Sequence, residues 1–273
     1  MNTILARIYF ITPILFACAN LALAAGIFST QRWRRLRPLA VACGVLAGVQ
    51  LCMAFLADTR STEVSAALGW MSFLAITGMS AMVSGIVAPT PSGSGLEGDG
   101  LVRGMLGAGL GASLVEMTLG LIFRHFHQPV GKLDAAWAHL GFSIVVVILS
   151  GEAGFLLRRR GDEGGGAGDR RVGTGIVAIV GLQFLLGAAT LTSVLAAGTG
   201  TPAPPEFEQF ARSPVSVIAG VVILAHQLNG AALMGLLAAG FTRLWMERPA
   251  SVVHEVRGRP VEHRGIGANS YAP

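Results

Sequence analysis

Charge is scarce in this chain: Asp and Glu number 15 among 273 residues, and the four charged types together make up 13%. A soluble domain of this length needs far more to cover its surface, so that class is excluded. Aromatic residues reach 7% and are not interleaved with basic ones along any stretch, which argues against nucleic-acid binding. Cys18, Cys43 and Cys52 fall singly in apolar segments without metal-ligand spacing. They read as small buried hydrophobes. The two glycine-rich stretches, Pro91-Ser92-Gly93-Ser94-Gly95 and the run from Gly161 to Gly168, lack a following Lys-Ser/Thr pair and a preceding strand, so neither is a nucleotide loop. With so few apolar residues, both read as flexible connections.

What remains is apolar residue in long runs. Hydrophobic residues make up 52% of the chain, the mean hydropathy is +0.62, and segments of roughly 20 apolar residues, the length that spans a bilayer, recur along it. Seven are expected: Ile8 to Phe28, Pro38 to Ala57, Ala67 to Ala88, Leu101 to Phe123, Ala135 to Leu157, Thr174 to Ala197 and Val215 to Phe241. None alternates like a strand, and an open sheet edge is not tolerated in lipid, so the fold class is all-α and polytopic. Arg7 ahead of an apolar run ending Ala22-Leu23-Ala24-Ala25-Gly26 also resembles a secretory signal. Because Met1 heads the chain, the segment is read as a retained helix.

Arginines set the orientation. Arg32, Arg34, Arg35 and Arg37 lie between helices one and two, Arg158, Arg159, Arg160, Arg170 and Arg171 between five and six, and Arg243 and Arg248 after seven. All three places fall on one side, which is expected to be cytoplasmic, with the N-terminus outside and the C-terminus inside a bacterial-type inner or plasma membrane. The loop from Pro89 to Gly100 is the weak point, with Glu97 and Asp99 against Arg103 just beyond it. Residues 249–273 form a polar cytoplasmic tail whose His254 and His263 read as solvated.

Two histidines stand inside apolar runs, His139 in Ala135-Ala136-Trp137-Ala138-His139-Leu140-Gly141 and His226 in Leu224-Ala225-His226-Gln227-Leu228-Asn229-Gly230. At 1.5 Å per residue, His139 lies ~28 Å from Arg158 and His226 ~25 Å from Arg243. The two levels agree, in the half of the bilayer away from the arginines. An imidazole at that depth is costly without a partner. Two of them satisfy an iron in a haem, where a six-coordinate centre suits electron transfer, whereas copper or zinc would need further strong ligands at the same level. The other reading is a hydrogen bond across a helix interface, His226 with Gln183 or Asn229.

Small residues on helices five to seven, including Gly141, Gly181, Gly187, Gly230 and Gly235, leave room for a porphyrin and equally serve close helix packing. Glu116 stands ~10 Å from the outer end of helix four, near the level of His139. It fits a proton relay, a quinone contact or a haem substituent, and it also fits a protonated acid bonded to a neighbouring helix. Arg124 and Arg212, with His125, His127 and Lys132, gather at the outer loops. The two arginines fit haem propionates, and equally fit interfacial anchoring. Glu152 is expected to reach Arg158 or Arg159.

These segments resemble the haem A synthase family. The likeness lies in Gly181-Leu182-Gln183-Phe184-Leu185-Leu186-Gly187, similar to that family's glutamine and glycine helix, followed by Ala225-His226-Gln227-Leu228-Asn229-Gly230, and less closely in Ala138-His139-Leu140. The family's proteins are two tandem four-helix bundles with histidines on the second and fourth helix of each. The resemblance implies an N-terminal three-helix membrane segment over 1–98 and a haem-binding four-helix bundle over 99–248, with one haem b between His139 and His226 and with Gln183, Arg124 and Arg212 beside it. Helices one to three contain no histidine. The family's glutamate and His-Arg signature is also absent, and Ser92-Gly93-Ser94-Gly95-Leu96 only echoes its glycine-serine-glycine loop.

The function expected is therefore a cytochrome b-like subunit, partnered by membrane lipids and by a quinone or other subunits of a redox complex. A haem-modifying monooxygenase and a non-redox assembly subunit are the alternatives. The monooxygenase needs a second haem site, which the sequence does not display.

Overall fold

The computed structural model describes residues 3–56, 62–87, 99–125, 129–197 and 217–246. Seven α-helices make up these parts: α1 (Thr3–Ser29), α2 (Arg37–Leu56), α3 (Thr62–Val87), α4 (Asp99–His125), α5 (Pro129–Arg160), α6 (Ala167–Ala197) and α7 (Val217–Met246). No strand occurs among the described residues. Six of the helices are long and apolar enough to cross a membrane, and α1 carries a shorter apolar stretch, Ala17–Ser29. The chain is an all-α polytopic membrane protein.

Large apolar side chains cover the outside, among them Ile144, Ile148, Phe155, Phe184, Leu185 and Leu228. In lipid such a surface needs no polar cover. Association then depends on close contact and on polar groups satisfied between helices. Asn20 and Gln50, both fully buried, show the second device: Asn20 Nδ2 donates to the Ala75 carbonyl at 3.1 Å and Gln50 Nε2 to Ser72 Oγ at 3.1 Å, tying α1 and α2 to α3.

Helices α4 to α7 pack in a ring. Each touches its neighbours, α4 closes onto α7, and the diagonals α5–α7 and α4–α6 barely meet. Leu106, Val146, Ala153, Leu157, Ile176, Val180, Leu233 and Leu237 fill the interior. Outside this ring α3 lies along α7, where Ser84 Oγ donates to the Ala239 carbonyl at 2.9 Å. Trp70 Nε1 also donates to Thr118 Oγ1 on α4, at 3.3 Å.

At the arginine end the four-helix ring is locked by charge. Arg160 pairs with Asp99 at 2.7 Å and with Asp169, and Arg243 reaches the other oxygen of Asp169 at 3.1 Å. Asp169 is fully buried, and the network joins the start of α4, the end of α5, the start of α6 and the end of α7.

This lock corrects the expectation of a flexible glycine connection. The chain turns through a single wide helical turn, Gly161–Gly165, with Gly164 and Gly166 at φ 118° and 99°, and α6 begins at Ala167. Only residues without a Cβ adopt that backbone at no steric cost. The α5–α6 backbones then meet at Gly154 and Gly173, where a Cβ on Gly154 would come within 3.0 Å of the Gly173 carbonyl.

Two smaller expectations change as well. Glu152 is exposed, and Arg159 pairs instead with Glu163, at 2.7 Å. Of the cysteines only Cys43 is buried; Cys18 and Cys52 lie on the apolar outer face.

Candidate functional site

The diagonal arrangement brings the two intramembrane histidines toward one interior. His139 is on α5 and His226 on α7, the pair of helices that face each other across the ring. Each also meets a polar side chain from the helix preceding its own.

For His139 that side chain is Glu116 on α4. Its Oε1 stands 3.0 Å from Nδ1 of the imidazole, an ion-pair distance. The N–H direction is not aligned for a hydrogen bond, so Nδ1 and Glu116 Oε2 are both buried without a hydrogen-bond partner. A modest rotation of either side chain would align them. The carboxyl group is mostly buried, at 15% exposure, and the imidazole is 29% exposed.

For His226 the partner is Gln183 on α6, with Nε2 of the amide 3.4 Å from Nε2 of the ring. Hydrogen-bond accounting fixes which way the proton points. Gln183 Oε1 accepts from Asn229 Nδ2 at 2.8 Å, and Asn229 Nδ2 also donates to the Ile179 carbonyl at 2.9 Å. The Gln183 amide nitrogen is thus turned to the ring and can only donate, so His226 Nε2 accepts and Nδ1 carries the hydrogen. That Nδ1 is buried with no partner. An orphaned polar atom of this kind costs about 1–3 kcal/mol.

The seats of the rings are glycines. A Cβ placed on Gly120 would come 3.1 Å from His139 Cε1, and one on Gly187 would come 3.4 Å from His226 Cε1. In both cases Nδ1 is the next-nearest ring atom to that Cβ, at 3.5 and 3.9 Å. A side chain on Gly120 would crowd the His139 ring, and one on Gly187 would bring the His226 ring to the edge of contact.

Of the residues singled out from sequence, His139 meets Glu116 and His226 meets Gln183, as two pairs on the two halves of the ring. Arg124 lies in the last turn of α4, with its side chain outside the described residues, and Arg212 lies outside them altogether, as do His127, His254 and His263. Of the two partners expected for His226, Gln183 meets the ring and Asn229 anchors Gln183. Gly120 was not legible as a site residue. Its signal is the match of Glu116-Met117-Thr118-Leu119-Gly120 to Gln183-Phe184-Leu185-Leu186-Gly187, a polar residue one helical turn before a glycine.

The donor set narrows the chemistry. Among the described residues no three or more His, Cys, Asp or Glu converge as a bare metal ion would require. A haem brings four nitrogens of its own and asks the protein for two further ligands, which two imidazoles in one bundle can supply. The glycine seats under the rings fit such a group; the orphaned nitrogen of each ring is Nδ1, which is not the nitrogen that would meet the iron. No family model, curated protein or solved structure matches this chain.

Proposed function

We propose that the protein is a membrane cytochrome b-like subunit holding one haem b between His139 and His226. The observation that carries the reading is the placement of these two imidazoles on the diagonal helices of one four-helix ring. When bound, the haem would be held by His139 and His226 and would supply a one-electron couple.

The chain's own residues supply position and exclusion. Glu116, 3.0 Å from Nδ1 of His139, would orient that ring so that Nε2 is the nitrogen turned to a haem. His226 would be the other ligand, and Asn229 fixes the orientation of the Gln183 amide beside its Nε2. Apolar packing by Val146, Leu233 and Leu237 toward the arginine end keeps water from entering along the ring. Arg124 and Arg212 are the candidates to pair the propionates at the opposite end.

The arginine-rich end is cytoplasmic, with the N-terminus outside and the C-terminus inside, which puts the haem in the outer half of the bilayer. Electrons pass between an outer-side donor or acceptor and a quinone or companion subunit.

A second reading draws on the Gln183–His226–Asn229 network. Its bonds are those of a purely structural polar interface, in which the protein would be an assembly subunit without a redox group. Haem titration of the purified protein separates the two. The cytochrome reading expects one haem per chain and its loss in His139→Ala and His226→Ala; the assembly reading expects a colourless protein in all three.

A further inference from the structure

The two halves of the site are built alike. On α4 the order is Val115-Glu116-Met117-Thr118-Leu119-Gly120, and on α6 it is Leu182-Gln183-Phe184-Leu185-Leu186-Gly187. In each, a hydrogen-bonding side chain precedes a glycine by one helical turn, so the two lie on one face of the helix. The following helix brings an Ala-His pair, Ala138-His139 or Ala225-His226, onto that face. The polar side chain meets a ring nitrogen and the glycine lies under the ring's Cε1–Nδ1 edge, in both halves.

We propose that α4–α5 and α6–α7 are two copies of one helix-pair device, and that Gly120 and Gly187 are paired positioning residues, each the seat on which one imidazole is held toward the common interior. The proposal rests on the haem reading for its purpose and on the glycine geometry for its substance.

Packing between helices does not account for these two glycines in the way it does elsewhere. At Gly173 the close neighbours are backbone of the facing helix and at Gly154 the Gly173 carbonyl lies beside Ile176, whereas at Gly120 the three nearest atoms to an added Cβ all belong to His139 and at Gly187 the only ones within 4 Å belong to His226. An added Cβ at 3.1 Å would displace the His139 ring by a few tenths of an ångström, and one at 3.4 Å, at the edge of ordinary contact, would press on the His226 ring more lightly. The halves differ in one respect: Glu116 faces Nδ1 of its histidine and Gln183 faces Nε2 of its own. The seats are therefore equivalent while the side chains one turn before them are not, and a ligand between the rings meets an acid on one side and an amide on the other.

The molecule supplies its own controls. Gly111 on α4 and Gly181 on α6 have nothing within 4 Å of an added Cβ, and alanine raises helix propensity at all four positions by roughly 1 kcal/mol. The test uses the full chain in lipid nanodiscs with histidine labelled with carbon-13 at Cε1, the resonances being assigned by loss in His139→Gln and His226→Gln.

Gly120→Ala is expected to displace the His139 resonance and Gly187→Ala the His226 resonance, while Gly111→Ala and Gly181→Ala displace neither. In the haem-loaded protein the first two should convert low-spin haem to high-spin or lose it, and the controls should keep the wild-type spectrum. Displacements no larger than the controls' would overturn the seats. If the wild type carries no haem and the resonances still move, the seats stand and the haem reading falls. If haem is bound and all four variants share one spectrum, the haem reading stands and the seats fall.

Discussion

Glu116 and Gln183 illustrate how two side chains of nearly equal shape do different work beside an imidazole. A carboxyl group at Nδ1 increases the electron donation of a ligating histidine, and an amide adds much less. Glu116→Gln is therefore expected to retain haem and raise its midpoint potential, measured by redox titration; an unchanged potential would remove Glu116 from the ligand's surroundings. Asn229 acts one step further away. Replacing it by Leu orphans Gln183 Oε1, and thermal unfolding in detergent should register a loss of about 0.6–1.7 kcal/mol, the range of interhelical hydrogen bonds in membranes. At this scale the sequence was legible where a residue conflicted with its surroundings. A histidine or a glutamate in an apolar run announces itself, but Gly120 stands among other glycines on α4, and only the ring lying over it sets it apart.

The helices themselves were legible because lipid imposes one length and one periodicity on each span, but their ends were not. Hydropathy located α6 from Thr174, whereas it begins at Ala167, and α5 reaches Arg160 rather than Leu157. The extra turns are polar and stand because Arg160 and Asp169 are paired across helices. Arg160 meets Asp99, and Arg243 meets Asp169, from far along the chain. No local pattern encodes such a contact, so the glycine run from Gly161 to Gly168 looked free when it was a braced turn.

The energetic consequence belongs to these elements. Asp169→Ala leaves Arg243 and one side of Arg160 buried without a counter-charge, and should lower stability by about 3–5 kcal/mol, nearer the lower figure because Arg160 keeps Asp99. Glu163→Ala, which breaks the exposed and solvent-screened Arg159 pair, should leave stability essentially unchanged. Equal effects in denaturant unfolding would mean that the buried network is not what ties the four helices together.

For the molecule as a whole, composition alone excluded a soluble domain, since 13% charge cannot clothe a chain of 273 residues. The pairing of α3 with α7 was not legible, because the two are remote in sequence and each is apolar on every side; Ser84 records the contact only after the fact. The depth match of His139 with His226 was an expectation from sequence, and the ring of four helices places them on diagonal helices, α5 and α7. What the whole assembly does then turns on whether that interior holds a haem. A reduced-minus-oxidised spectrum of the purified full-length protein, with haem counted per chain, tests this most directly. The account predicts a low-spin b-type spectrum at one haem per chain that disappears in His139→Ala and in His226→Ala. A wild-type protein without haem, or one whose spectrum survives both substitutions, would contradict it.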